Sequence, residues 1–208
     1  MPVKRCLFDG FRQSDFMSDV RGSTWRKRLA EPLKDQMETI WGLPVNMQAT
    51  QYRNDLYVDI GPSRRHFQAG FWIGVDEYSL WVRFRVERGY PADSRRESAM
   101  QSDWDWHRFW FKLTSLSPRF VDAYNAAISE GSVEIVANHD NQLLLPGSTL
   151  EVVTDALRRI PNDQWIDFYI TTRVPSDQVV GWGPSAPSRI VDLLHGRKRL
   201  AIEAMNDD

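Results

Sequence analysis

The sequence predicts an α+β fold, in which helices pack on a twisted, mainly antiparallel sheet. Residues 56–87 read as three consecutive strands joined by short loops, and helical patterns lie before and after them. A further hairpin and a further strand follow late in the chain. Strands that are grouped apart from helices are typical of α+β proteins. With 208 residues, the chain has the length of a single domain, and we expect one domain over residues 1–208.

The first elements are a lead-in segment, residues 1–22, and a helix over residues 24–41. Ser23 or Thr24 is the predicted N-cap of this helix, Pro32 is expected to break or restart it, and Gly42 ends it. A strand near residues 46–52 then leads into the sheet. The lead-in segment carries bulky side chains that we expect to pack on the core: Leu7, Phe8, Phe11 and Phe16.

The next three strands each have an apolar face and a polar, aromatic face, because successive side chains of a strand point to opposite sides of the sheet. The predicted apolar face consists of Leu56, Val58, Ile60, Phe67, Ala69, Phe71, Ile73, Leu80, Val82, Phe84 and Val86. The opposite face collects Asp55, Tyr57, Asp59, His66, Gln68, Gly70, Trp72, Trp81, Arg83, Arg85 and Glu87. This second set is too rich in aromatic side chains for a plain solvent-facing surface and too polar for a simple core. We therefore predict that a functional site lies on this face.

The register of the two hairpins is limited by the need to keep all apolar residues on one side, which allows only loops with an even number of residues. For the second hairpin we favour a four-residue loop, residues 76–79, since a two-residue Asp-Glu loop lacks the Gly or Asn of a primed turn. Gly74 then faces Trp81, and Trp72 faces Arg83.

For the first hairpin, a loop that contains the Gly-Pro-Ser sequence of residues 61–63 sets Tyr57 beside Gly70 and Asp55 beside Trp72. Gly70 would then leave a gap between Tyr57 and Arg85. Either a ligand or a packed helix is expected to approach the backbone there.

Residues 103–113 fit two secondary structures. Their aromatic density is typical of a strand, whereas the spacing of Trp106, Phe109, Trp110 and Leu113 matches one face of a helix. We favour the helix. Residues 91–100 are polar and predict a helix or a loop.

The last third of the chain alternates helices and strands, and the chain end, residues 196–208, is expected to fray. The predicted elements are a helix that opens at Ser117-Pro118 and stops before Gly131, a hairpin of residues 133–137 and 142–145, a helix from a Ser148/Glu151 capping box to Ile160, a strand over residues 164–173, and a last helix capped by Ser188 after a loop. In the strand, Trp165, Asp167, Tyr169 and Thr171 face away from the core.

Composition limits the function classes. The formal net charge is −2, so no general attraction to nucleic acid or to an anionic membrane is expected. Only five of the 26 basic residues are lysine, and the rest are arginine, whose planar fork pairs with carboxylates or phosphates and stacks on aromatic rings. A GC-rich genome would produce the same arginine excess without any function.

The single cysteine, Cys6, excludes a disulfide framework and fits a reducing, intracellular setting. The N-terminus has no apolar signal core, and no apolar run approaches the roughly 20 residues that span a bilayer. We therefore expect a soluble, cytoplasmic protein without a membrane partner.

No catalytic or metal-binding motif stands out. None of the four histidines has metal-ligand spacing such as HExxH, and His139-Asp140 fits a pair that stabilises a turn. Nucleophile motifs such as GxSxG, the Walker A loop and GxGxxG are missing from the sequence. We expect neither a metal nor a cofactor, and we favour a protein that is not an enzyme.

The polar face allows two functions. Arg65 and His66, with Arg83, Arg85 and the two tryptophans of the face, could form a stacking platform that reads an anion, as in proteins that bind single-stranded nucleic acid. Asp59, Gln68 and Glu87 could instead hold a metal, as in a nuclease, or act in acid–base hydrolysis. Pairing between these arginines and carboxylates is the plain structural alternative to both.

Residues 66–87, HFQAGFWIGVDEYSLWVRFRVE, resemble the YktB-like family of uncharacterised bacterial proteins, whose members carry a similar His-Phe-Gln-x-Gly stretch before a second apolar strand ending in Glu. The segment FRQSDF, residues 11–16, is similar to the opening of that family. The family's Arg-rich segment with Asn-Pro-Pro has no matching form here. The resemblance supports the predicted fold and implies a bacterial origin, but it implies no reaction.

From these observations we expect a non-catalytic binding or interaction module that uses the polar sheet face for a small anionic or planar ligand or for a segment of nucleic acid. A metal-dependent or acid–base hydrolase that uses the carboxylates of the same face is the alternative. The sequence does not predict an oligomeric state.

Overall fold

The computed structural model describes residues 8–17, 24–49, 54–60, 69–88, 103–138, 140–144 and 146–205. The helices within these ranges are α1 (Gln13–Met17), α2 (Trp25–Trp41), α3 (Asp103–Ser115), α4 (Pro118–Ile128), α5 (Leu150–Arg158), α6 (Ser176–Gly181) and α7 (Ala186–Met205), with a 3-10 turn at Gly183–Ser185. The strands are β1 (Val45–Ala49), β2 (Asp55–Ile60), β3 (Ala69–Val75), β4 (Ser79–Arg88), β5 (Ser132–Ala137), β6 (Asp140–Leu144) and β7 (Ile166–Pro175).

The strands form a seven-stranded sheet in the order β1-β2-β3-β4-β7-β5-β6. The pairs β1–β2, β2–β3, β5–β6 and β5–β7 are antiparallel. Helices pack on the apolar face of this sheet, and the predicted α+β class is therefore confirmed. Within the described ranges, no helix is both long enough and apolar enough to span a bilayer.

The chain divides by its internal contacts into two compact units. Unit 1 contains the described residues of Met1–Arg64, Phe71–Val82 and Arg173–Leu194, and unit 2 contains those of Arg65–Gly70, Arg83–Thr172 and His195–Asp208. The single domain expected from chain length stays a prediction.

In unit 1, the described part of the lead-in segment packs as predicted. Phe8, Phe11 and Phe16 are buried, and the ring of Phe11 lies 5.5 Å from that of Trp25. Arg28 of α2 fastens the segment, because its guanidinium binds Asp9, Asp15 and the carbonyl of Gly10.

Helix α2 runs without interruption through Pro32, so the predicted break there is wrong. Its buried residues Leu29, Leu33 and Met37 form one continuous stripe, and this packing outweighs the hydrogen bond that proline lacks. Gly42 ends the helix as predicted, with a left-handed φ of 65° and an N–H that donates to the Glu38 carbonyl.

The first hairpin departs from the predicted register by two residues. Tyr57 pairs with Trp72 rather than with Gly70, and Asp55 pairs with Gly74 rather than with Trp72. Alternation fixes only whether the loop length is even or odd, so a shift of two residues preserves both faces.

The predicted apolar face is confirmed. Ala69 is buried, Ile60 is partly buried at the end of β2, and Phe67 lies outside the described residues. In unit 1, the ring of Trp41 in α2 lies 5.8 Å from that of Phe71. The following residues are completely buried: Leu56, Val58, Phe71, Ile73, Leu80, Val82, Phe84 and Val86.

In unit 2, the helix predicted over residues 103–113 is confirmed as α3. Phe109 of α3 packs against Phe168 of β7, with ring centroids 4.8 Å apart. The hairpin β5–β6 and the helix α4, with Pro118 at its start, are also confirmed. Residue 139 and residues 91–100 lie outside the described ranges.

Two predicted helix starts are wrong. Helix α5 is capped by Thr149 rather than Ser148, because the Thr149 hydroxyl accepts from the N–H of Val152. Helix α7 begins at Ala186, before Ser188, after a stretch that forms α6 and the 3-10 turn instead of a loop. It continues to Met205 and buries Leu200 and Ala201, and the expected fraying of the chain end stays a prediction.

Candidate functional site

The predicted site residues fall into three groups. Outside the described residues lie Arg65, His66 and Gln68. Unit 1 contains Tyr57, Asp59, Trp72 and Trp81. Unit 2 contains Gly70, Arg83, Arg85 and Glu87.

The polar face of unit 1 is largely aromatic. The buried ring of Tyr57 meets Trp72 edge-on, with centroids 5.2 Å apart and an interplanar angle of 63°. Trp81 lies against Gly74, where a Cβ atom would overlap its indole ring. The indole of Trp81 therefore approaches the backbone at Gly74, in agreement with the predicted pairing of these two residues, and the close approach expected at Gly70 stays a prediction. Gly70 itself is buried.

In unit 2, Arg85 lies at the centre of a buried ionic cluster. Its Nε donates to Oδ1 of Asp167 at 2.6 Å, and its Nη2 lies 2.9 Å from Oε2 of Glu87. Trp165 Nε1 donates to the other Glu87 oxygen at 2.8 Å, and the Tyr169 hydroxyl donates to Oδ2 of Asp167 at 2.8 Å. We call these five side chains the Arg85 cluster.

The Arg85 cluster is held by opposite charges in a largely buried site. Burial alone would lower the pKa of Arg85, but the carboxylates of Asp167 and Glu87 outweigh burial and raise it. Burial raises the pKa of Asp167, and the Arg85 guanidinium opposes that rise. Burial and the neighbouring Asp167 carboxylate also raise the pKa of Tyr169. A cluster bonded in this way favours a structural role for Arg85.

Arg83 has a different environment from Arg85. Its guanidinium carbon lies 4.9 Å from the centroid of the Tyr169 ring, and its Nη2 lies 3.2 Å from Oε2 of Glu134. Glu134 of β5 is the register partner of Tyr169, so the Arg83 side chain reaches across β7 to meet it. The Arg83 and Glu134 side chains keep 18% and 17% of their exposure, compared with 8% and 2% for Arg85 and Asp167.

A further polar group lies beside this row. Thr171 follows Tyr169 by two residues on β7 and thus shares its face. Its residue exposure is 1%, and its hydroxyl has no hydrogen-bond partner within the part of the chain that the structure describes. Ser132 of β5 pairs with it in the register. A buried hydroxyl without a partner is uncommon in a folded protein and calls for an explanation.

The sequence did not reveal which strand supplies the partners of Arg83 and Arg85. Alternation places Asp167 and Tyr169 on the polar side of β7, whereas the partners we expected for the two arginines were carboxylates of the first three strands, and of these Glu87 binds Arg85. The missing information is the crossover that inserts β7 beside β4. Long-range strand order of this kind leaves no local signal in one sequence.

On the polar sheet face of unit 2, three carboxylates bind arginines. Glu87 and Asp167 both bind Arg85, and Glu134 binds Arg83. The described residues contain no group of three or more His, Cys, Asp or Glu side chains arranged to hold a metal ion.

Comparison with known proteins identified no relative of the chain. No protein-family model matches the chain, and a search of the curated proteins found no match.

Proposed function

We propose that the protein is a non-catalytic binding module that takes an anionic or planar ligand on its polar sheet face, with Arg83 as the side chain that binds the anion. The observation that carries this proposal is the environment of Arg83. Its guanidinium lies over the Tyr169 ring and contacts Glu134 through one nitrogen at 3.2 Å, while both side chains keep access to solvent.

Because the Arg83 side chain keeps 18% of its exposure, an anion in solvent can approach its guanidinium. A guanidinium binds carboxylate or phosphate most strongly through two parallel hydrogen bonds, and the Glu134 carboxylate already approaches the Arg83 guanidinium to 3.2 Å. The Tyr169 ring supports the guanidinium plane from one side, and Asp167 fixes the ring through the Tyr169 hydroxyl. The Tyr169 ring thus holds the Arg83 side chain in one position before a ligand binds. This favours binding, because little side-chain entropy is lost when the ligand arrives.

Arg85, unlike Arg83, is not proposed to bind the ligand. Its Nε and Nη2 are both bonded to buried carboxylates, and a ligand could reach them only by breaking the cluster. We therefore assign a structural role to the Arg85 cluster and the ligand-binding role to Arg83.

The hydrolase alternative has less support. A carboxyl group with a raised pKa in an open cleft would favour an acid–base enzyme. The pKa of Asp167 is raised, but Asp167 is buried and bonded to Arg85 and Tyr169, so that burial within an ion pair explains the shift. Asp59 is buried as well.

The origin and location of the protein are part of the proposal. Membership of the YktB-like family and a bacterial source are supported by the HFQAG segment, and a cytoplasmic location is supported by Cys6 as the single cysteine. A small anionic metabolite or a segment of single-stranded nucleic acid is the proposed ligand.

A thermal-shift screen tests the binding function. The ligands are nucleotides, phosphorylated metabolites, aromatic acids and short single-stranded oligonucleotides, and the proteins are the wild type, Arg83→Gln and the control Arg158→Gln. Arg158 is an exposed arginine that pairs with Asp155 on the surface of α5. We expect a stabilising ligand that acts on the wild type and on Arg158→Gln but not on Arg83→Gln. No stabilising ligand in the whole panel, or one that acts equally on Arg83→Gln, would contradict the proposal.

A further inference from the structure

We propose that β1 is a self-association edge, at which two copies of the chain pair their β1 strands in antiparallel fashion about a twofold axis at Gln48. β1 lies at one end of the strand order, so no described strand covers its outer side. Gln48 and Ala49 are exposed. The inference is separate from the ligand proposed for Arg83, because it concerns the backbone of unit 1 alone.

The register shows which backbone groups of β1 face outward. Where β2 meets β3, the N–H of Val75 donates to the carbonyl of Asn54. The bonding direction alternates along an antiparallel strand, so the even-numbered residues of β2 bond β3 and its odd-numbered residues bond β1. The β1 partners of those odd-numbered residues are Asn46 and Gln48. The N–H and C=O groups of residues 45, 47 and 49 therefore point away from the sheet.

The side chain of Glu38 covers one of these three outward positions. Its Oε1 accepts the N–H of Val45 at 3.0 Å, which agrees with the outward direction of that N–H. At Met47 and Ala49, no backbone group outside the sheet bonds the outward N–H and C=O groups within the described part of the chain. Each copy thus offers two donors and two acceptors for a further strand.

β1 lacks the features with which edge strands usually prevent pairing with another chain. These features include lysine, proline and β-bulges. The strand, VNMQA, contains neither residue and carries no charge. It pairs one-to-one with β2 over all five of its residues, so it has no bulge. Because the strand is uncharged, it can lie beside its own copy without the like-charge repulsion that opposes such pairs.

The sequence of β1 also matches a second copy of itself. With Gln48 on the twofold axis, Met47 of each copy lies opposite Ala49 of the other, so that a long side chain meets a short one at both positions. The two donors of each copy then make four interchain hydrogen bonds. The two Gln48 side chains meet at the centre, in a pair without mutual backbone bonds, where side chains are closest. A register centred on Met47 would instead need the Val45 N–H, which already bonds Glu38.

Analytical ultracentrifugation of the full chain tests the association. Concentrations from about 10 µM to about 1 mM suit a contact as small as one strand pair. We expect the wild type to approach the dimer mass and not to exceed it. Met47→Pro removes an outward donor and no bond to β2, so it should keep its own sheet and associate about tenfold or more weakly. Met47→Val keeps the donor and should still associate, and urea unfolding checks that both variants are folded.

Disulfide cross-linking tests the register without proline. Gln48→Cys and Asn46→Cys are each made together with Cys6→Ser, which removes the native thiol. In the proposed pair, the two Cα atoms of residue 48 lie about 4.5 Å apart, within the range of a disulfide. Those of residue 46 lie roughly 14 Å apart, because the register offsets them by four residues. Mild oxidation should therefore give a covalent dimer with Gln48→Cys and not with Asn46→Cys.

Each contrary result overturns the proposal. A wild type that stays monomeric at every concentration has no self-association edge. Unchanged association of Met47→Pro, or growth beyond the dimer, places the contact at another surface. No cross-linking of Gln48→Cys, or equal cross-linking of both cysteine variants, excludes the register. None of these results bears on the ligand screen with Arg83→Gln, so the two proposals fail separately.

Discussion

Arg85 and Asp167 form a buried ion pair that joins β4 to β7, with Nε and Nη2 of Arg85 both 2.6 Å from Oδ1 of Asp167. The pair connects residues that are 82 positions apart in the chain. Removal of one partner of a buried pair leaves an uncompensated charge. The pair joins β7 to β4, and β7 also carries the Tyr169 ring over which the Arg83 guanidinium lies.

Replacement of Asp167 by Asn is expected to lower the free energy of unfolding by about 3–5 kcal/mol, because Arg85 would lose the more deeply buried of the two carboxylates that compensate its charge. Glu87→Gln should have a smaller effect, since Trp165 Nε1 can still donate to the amide oxygen and Asp167 stays in place. Urea unfolding of both variants checks this order. A smaller loss for Asp167→Asn than for Glu87→Gln would show that Glu87 is the main partner of Arg85.

Gly74 is expected to tolerate no side chain. A Cβ atom there would overlap the indole of Trp81, so that Gly74→Val should lower the free energy of unfolding by roughly 1–3 kcal/mol through overpacking. Gly181→Ala is the control, because a Cβ at Gly181 meets no atom within 4 Å. If Gly74→Val unfolds at the same urea concentration as the wild type, the indole does not lie over Gly74.

Acid should weaken the turn between β3 and β4. Burial alone would raise the pKa of Asp76, but hydrogen bonds from Tyr78, Ser79 and Arg173 outweigh it and lower the pKa below its ordinary value of 3.8. A carboxyl group whose folded pKa is lowered contributes stability that is present above its unfolded pKa and is lost as the pH falls through its folded pKa. Asp76 therefore stabilises the fold fully above about pH 3.8, and this contribution is lost progressively as the pH falls through the lowered pKa of the folded state.

The variant Asp76→Asn isolates this contribution. Unfolding free energies are measured between about pH 2 and pH 6 for the wild type, Asp76→Asn and the charge-matched control Asp155→Asn. The wild type and the control should lose stability more steeply below about pH 4 than Asp76→Asn does. Parallel curves for all three proteins would remove Asp76 as the source of the acid sensitivity.

The sequence predicts the faces of the sheet well and the partners across it poorly. Alternation placed Leu56, Phe71 and Val82 in the core and Tyr57 and Arg83 on the polar side, because the period of a strand is a local property. Tyr57 was assigned to Gly70 instead of Trp72 because loop length, not alternation, decides between registers two residues apart.

Side-chain partners follow from strand order, and strand order was the main gap in the sequence-based prediction. Asp167 was correctly placed on the polar side of its strand, yet nothing within residues 164–173 shows that this strand lies beside β4. The sequence therefore presented Arg83 and Arg85 as equivalent cations on one strand. The two arginines differ because of the strands beside them. Asp167 of β7 binds the buried Arg85, whereas Arg83 reaches Glu134 of β5 and stays partly exposed.

The most direct test of this account compares Arg83→Gln and Arg85→Gln in urea unfolding, with Arg158→Gln as the surface control. Arg85→Gln should lose about 3–5 kcal/mol, because it leaves Asp167 and Glu87 buried without a compensating charge. Arg83→Gln should lose about 1 kcal/mol or less, as expected for a partly exposed ion pair, and Arg158→Gln should be unchanged. Equal losses for the two polar-face variants, or a larger loss for Arg83→Gln, would contradict the division into a supporting Arg85 and a ligand-binding Arg83.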